Sequence, residues 1–244
     1  MVQEISATAS RRLAWMMQKM AKAANMTEHT LLQMHRGGLF DHTGFGLCRY
    51  STDEHYLAPH FEKMLYDNAL LILAYCKAYA ITKKPFYLEI AEKTAAYTLR
   101  EMTSSEGAFY SAQDADSEGE EGKFYLLTPE DIQMAIGKKD SKAFCRHYDI
   151  TKAGNFEGKS IPHLLHSDPG DKFFEPFLEH IRQYRRKRYQ LHLDDKILTS
   201  WNAQMIAALC SPYPNSRERQ KTATHSEGGS RRTAYLKGIS CHRQ

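Results

Sequence analysis

Residues 62–80 constrain the fold of this chain more than any other stretch, because they read as a long helix that is apolar on nearly every face. Leu65, Ala69, Ile72, Cys76 and Tyr79 form one stripe at helical spacing, and Leu70, Leu71, Leu73 and Tyr75 spread apolar character over the other faces. A helix of that kind has to be packed on several sides. Thr82-Lys83-Lys84 interrupts it, and Pro85 suits the first turn of a following helix. There Leu88, Ala91, Ala95, Leu99 and Met102 line one side, with Glu89, Glu92, Lys93 and Arg100 mostly elsewhere. A buried helix joined by a short turn to a half-exposed one is an αα-hairpin with an inside and an outside. The expected fold is therefore mainly α.

The rest of the chain fits that frame. Leu13, Met16, Met17 and Met20 recur at helical spacing, Thr27 is expected to cap a short helix to Arg36, and Gly37-Gly38 should stop it. Residues 39–59 read as loop. Residues 107–127 read as one β-hairpin, with Gly107–Ser111 and Lys123–Leu127 flanking an acidic, glycine-containing connection. Thr128-Pro129-Glu130-Asp131 is a strong helix start, with a cap, a first-turn proline and two acids at the positive end of the dipole. Residues 151–168 read as loop, Phe173 to Tyr184 as an amphipathic helix, and Leu198 to Cys210 as a last apolar helix.

At Ser211 the composition changes. Only seven of the 34 residues from 211 to 244 are apolar, which is too few to order the segment, so a disordered basic tail is expected there. That tail holds seven Lys/Arg and two acids, so the net charge of +4 becomes −1 for residues 1–210. A near-neutral body does not call for a nucleic-acid partner. The longest apolar run, Ala69 to Cys76, is far shorter than the roughly 18 residues a membrane span needs. The five cysteines form no Cys-x-x-Cys pair, which suits free thiols in a reducing, cytoplasmic compartment. No metal site and no cofactor are expected.

The densest polar constellation is Pro59-His60-Phe61-Glu62-Lys63-Met64-Leu65-Tyr66-Asp67, where a loop enters the most buried helix. His60 and Glu62 could act as acid and base on a bound substrate, with Tyr66 and Asp67 beside them. Alternatively, Glu62 and Asp67 cap the helix and pair with Lys63 and Arg49. In the glycine-rich run Gly37–Gly46, followed by Arg49 and Tyr50, Asp41 and His42 sit where glycine permits close approach to a ligand. The same run also suits a tight connector with Arg49 as an ion-pair partner. Asp114, Asp116, Glu118 and Gly119 fit the first half of a calcium loop, but Tyr125 stands where the bidentate Glu belongs. A solvated acidic tip accounts better for Glu118, Glu120 and Glu121, while Asp114 and Asp116 could point into a cavity. Trp201 and Asn202 suit stacking on a sugar ring and bonding to its hydroxyls, or a core tryptophan. The run Arg182–Arg188 reads as the solvated face of its helix.

Gly38–His42, Arg49–Asp53, Pro59–Asp67, Phe109–Gly119, Gly154–Lys159 and Asp195–Asn202 occur in an order and spacing that resemble the thioredoxin-domain-containing family of spermatogenesis-associated protein 20. The resemblance runs from about residue 26 to 209. It implies a partial (α/α)6-toroid over residues 1–210, like that of six-hairpin glycosidases and N-acylglucosamine 2-epimerases, with residues 211–244 outside it. It also implies a carbohydrate-active, isomerase-like or hydrolase-like domain without the family's thioredoxin part. The expected catalytic pair is His60 and Glu62, with Asp41, His42, Arg49, Tyr66, Asp67, Asp114, Asp116, Trp201 and Asn202 lining the substrate site. The family's Gly-Gly-Gly-Phe-His-Arg-Tyr run is Gly44-Phe45-Gly46-Leu47-Cys48-Arg49-Tyr50 here, so Cys48 replaces a histidine. The alternative is a non-catalytic binding or redox-accessory module. About seven helices cannot close a ring of twelve, so the chain is expected to be inactive alone and to self-associate through exposed apolar surface. The expected partners are a sugar or small molecule, with no nucleic acid and no membrane.

Overall fold

Glycine punctuation and hydrophobic period set the element boundaries. A computed structural model of the chain describes the backbone of residues 2–211 and the side chains of residues 18–211. The expected tail lies outside the described residues from 212 onward. Helix α1 runs unbroken over Val2–Arg36. The break expected at Thr27 is absent: its hydroxyl donates to the Ala23 carbonyl one turn back (2.9 Å) and caps nothing. Gly37 ends the helix where a Cβ would meet the Tyr56 carbonyl oxygen at 2.0 Å.

Beyond it, β1 (Tyr50–Ser51) pairs antiparallel with β2 (Pro59–His60). Strand β3 (Lys63–Met64) leads directly into α2 (Leu65–Thr82), and Lys83 in the left-handed region turns the chain into α3 (Pro85–Glu101). The two helices pack along each other as an αα-hairpin, but not as the expected inner and outer helix: α2 exposes Leu70, Lys77, Ala80 and Ile81, whereas α3 exposes only Pro85. Helix α2 buries Leu65, Asn68, Ala69, Ile72, Tyr75, Cys76 and Ala78, whereas Leu70 is 51% exposed. The buried face of α3 is Tyr87, Ile90, Ala91, Thr94, Ala95, Tyr97 and Thr98, and Leu88 and Leu99 are only partly buried. That face admits two threonines because each hydroxyl donates to the carbonyl four residues back, at 2.8 and 3.2 Å.

The single hairpin expected over 107–127 gives way to several small pairings. Strand β4 (Ala112–Gln113) joins β3 on one side and residues Leu193–Asp194 on the other. The true hairpin is tighter: β5 (Asp116–Ser117) and β6 (Glu120–Glu121) meet around Glu118 and Gly119, both at positive φ. Two such residues make the turn that matches strand twist. Tyr125 and Leu126 are unavailable as hairpin partners because they pack with Leu39, Cys48, Phe61, Ala115 and Ile161 in an interior cluster.

Helix α4 (Pro129–Ile136) starts as its sequence requires, with Thr128 and Asp131 closing a capping box. Helices α5 (Lys138–His147) and α6 (Leu178–Arg188) complete a second cluster around Ile132, Phe144 and Ile181. Leu193–Asp194 is β7, and α7 spans Thr199–Cys210. Met205 and Ala208 of α7 join the α2–α3 core. Among the described residues, no helix is long and apolar enough to cross a membrane.

Candidate functional site

The start of α2 is held rigidly. Asn68 is fully buried; its Oδ1 accepts from the Leu47 N–H (2.9 Å), and its Nδ2 donates to the Leu47 and Met64 carbonyls (3.0 and 2.9 Å). Every polar atom of the side chain is used, so it stitches the glycine-rich loop to the first turn of α2. On either side of that seam the polar residues of the 59–67 block diverge.

One group faces outward. Arg49 donates to Glu62 (3.0 Å), and His60 lies 3.7 Å from the same carboxylate. The other ring nitrogen of His60 is 2.6 Å from Glu121, and Tyr50 packs against the imidazole. Glu121 was expected on a solvated tip; Glu118 and Glu120 do form that tip, each paired with Lys123. Tyr66 hydrogen-bonds the Arg49 guanidinium, which is the main reason Arg49 is held firmly charged. The Tyr66 ring sits 4.8 Å from Trp201. Asp67 completes the group: burial, helped by the Glu62 charge, raises its pKa against the pull of Arg49 and the Tyr66 hydroxyl. Its Oδ2 is buried without a partner.

The structure thus brings together His60, Glu62, Arg49, Tyr66, Asp67 and Trp201. The remaining candidates go elsewhere. Asn202 spends its amide on the Phe109 backbone, accepting at 2.8 Å and donating at 2.9 Å. Asp114 accepts from the Asp116 N–H within its own turn, and Asp116 is exposed. His42 is buried beside His35, with ring centroids 5.2 Å apart, and its Nε2 meets the Gly37 carbonyl. Burial drives the His42 pKa down to about 3 and His35 well below the usual range.

Asp41 anchors a second, inward group that local reasoning missed. Arg185 donates to both of its oxygens, at 2.8 and 3.0 Å, and Lys63 donates to Oδ2 at 2.9 Å. Burial alone would raise the Asp41 pKa, but the two cations outweigh it and hold the carboxyl well below its ordinary value. Arg185 is 2% exposed and Lys63 1%, so neither the basic run nor the 59–67 block is uniformly solvated. The missed signal lay in spacing: Arg185 continues the apolar stripe of Leu178 and Ile181, a position that buries its side chain. Two cavities flank these groups. One, with about 20 Å³ of room for water, is lined by Asp41, Lys63, Arg185 and neighbours, and the other, of similar size, by His35, His42 and Tyr148 among others. Cys48, Cys76 and Cys145 are buried thiols pushed up by burial to about 12, 11 and 11.

Spermatogenesis-associated protein 20 of Homo sapiens and that of Rattus norvegicus are each 32% identical over 224 aligned residues, covering 77% of this chain and 28% of theirs. An uncharacterized protein of Caenorhabditis elegans is 28% identical over 230 aligned residues, covering 79% of this chain and 31% of its own length. The chain therefore spans less than a third of the length of these relatives. No family model matches it.

Proposed function

The chain belongs to the spermatogenesis-associated protein 20 family, and on that premise we propose that it is part of a carbohydrate-active helical domain of the (α/α)-toroid type, acting as an isomerase or hydrolase. One observation carries the reading: Glu62, His60 and Asp67 converge at the start of α2 beside the Tyr66–Trp201 aromatic pair. Aromatic faces suit the apolar side of a sugar ring, and a carboxyl kept protonated to higher pH suits proton donation to a glycosidic or ring oxygen. Glu62, beside His60 and charged Arg49, supplies the complementary base. The α2–α3 pair packs as an antiparallel αα-hairpin, a unit that helical toroids repeat.

The test is saturation-transfer NMR of the full chain against aldoses, N-acylhexosamines and short glucans, with Glu62→Gln and Trp201→Ala as controls. Transfer to at least one sugar, reduced in both variants, is expected. If no sugar shows transfer, or the variants respond like the parent, the carbohydrate reading falls.

The rival is a non-catalytic binding module. It gains support from Glu62 and His60 already having protein partners, Arg49 and Glu121. A redox role gains none from Cys48, Cys76 or Cys145, whose thiols stay protonated near neutrality. Exposed Leu70, Ile81 and Ile206 support self-association in solution, which gel filtration across concentrations would reveal.

A further inference from the structure

We propose that the cleft between α6, the end of α3 and the loop at Asp41–Phe45 binds a small molecule through an anionic group, a carboxylate or a phosphate. The argument begins with an imbalance of charge. Lys63 and Arg185 are both almost fully buried and share one buried carboxylate, Asp41. Asp41 has no capacity left. Its Oδ1 accepts from the Thr43 N–H, the Thr43 hydroxyl, the Gly44 N–H and Arg185, and its Oδ2 from Lys63 and Arg185. Gly44 is required for that geometry, since a Cβ there would meet Asp41 Oδ2 at 2.5 Å.

One unit of positive charge is therefore left uncompensated in the interior, where an unpaired charge is expensive. The rings of Tyr97, Tyr125 and Phe124 lie 4.4 to 5.0 Å from the two cations and offset part of it. Cation–π contacts are weaker than an ion pair and do not replace a counter-ion. The Arg185 Nε–H is buried with no acceptor at all.

This imbalance borders open space. The cleft is lined by four cations, Lys63, Arg182, Arg185 and Arg186, against the acids Asp41 and Glu101, and Arg182 has a further partner in Glu179 at 2.6 Å. Glu101 is already committed to Arg100 and Arg186. Tyr97, Gln113 and Phe124 form the remaining wall. By contrast, the His35–His42 cavity sets Lys93 and Lys172 against Asp171 and Glu175 and is balanced. His60, Glu62 and Asp67 do not line the cleft, so this inference stands apart from the carbohydrate reading.

The experiment is isothermal titration of the full chain at pH 7 and low salt with inorganic phosphate and, separately, with citrate. The Arg182→Ala/Arg186→Ala double variant removes two cations at the rim and leaves the buried trio intact; circular dichroism confirms that it folds. Saturable binding of either anion, weakened at least tenfold in the double variant, is expected. The anion that binds identifies the source as phosphate or carboxylate. Failure of both anions to saturate, or equal binding by the folded double variant, overturns the proposal.

Discussion

Asp41 and Arg185, 144 positions apart in the chain, meet in the interior through two hydrogen bonds of 2.8 and 3.0 Å. The contact joins the glycine-rich loop to α6 and, through Lys63, to the strand that precedes α2. It therefore locks together three segments that no local pattern connects.

Removing the carboxylate should be severe. Asp41→Asn leaves two buried cations with a neutral partner, and a broken buried pair typically costs about 3–5 kcal/mol. Because the folded pKa is depressed, the stabilisation is complete above the unfolded value of about 3.9 and is lost as pH falls toward the folded one. Urea unfolding at neutral pH should show the loss, and the variant should have a flatter acid limb below about pH 4. A variant as stable as the parent would mean that the trio contributes no net stability.

The buried histidines set a second pH dependence. His42 has a folded pKa of about 3 against 6.5 as its ordinary value, so the unfolded chain takes up a proton that the folded chain refuses. That contribution is complete above 6.5 and shrinks as pH falls toward 3, at about 1.4 kcal/mol per pH unit for each such histidine. His42→Phe should reduce the slope of unfolding free energy against pH between 6 and 4 by about that amount. An unchanged slope would show that His42 is protonated in the folded protein.

Asp67 behaves in the opposite sense. Its folded pKa is raised, so as pH rises through the ordinary carboxylate range its ionisation works against folding. Asp67→Asn should raise stability in chemical denaturation at pH 7, while any sugar binding at the Tyr66–Trp201 pair weakens. A loss of stability on this substitution would place Asp67 in a structural pairing instead.

Cys48 is 2% exposed among Leu39, Phe61, Tyr125 and Ile161. Iodoacetamide applied to the native chain should leave Cys48, Cys76 and Cys145 unlabelled while exposed Cys210 reacts, as peptide mass spectrometry would show. Cys48→His should overpack the cluster and cost about 1–3 kcal/mol. Rapid native labelling of Cys48 would contradict the packing described.

Much of the fold was legible because its signals are local. Hydrophobic period placed α2 and α3, and Thr128 with Asp131 marked the start of α4 one capping box ahead of its apolar face. The 59–67 block was recognisable as a candidate from polar residues crowded at the entry to an apolar helix. Its division was not legible: Glu62 turns out to Arg49 and His60, while its neighbour Lys63 turns in to Asp41. Adjacent side chains of an extended segment can diverge, but only the neighbouring elements decide which side is solvent. The same limit hid Arg185, whose basic neighbours masked an inward position, and the pairing of β4 with β3 and β7 in place of a local hairpin. Sequence by itself determined where helices begin, end and bury a stripe, because those depend on residues within a few positions of one another. Tertiary structure alone decided which charges meet, because Coulomb attraction and desolvation act through space and leave no period in the chain.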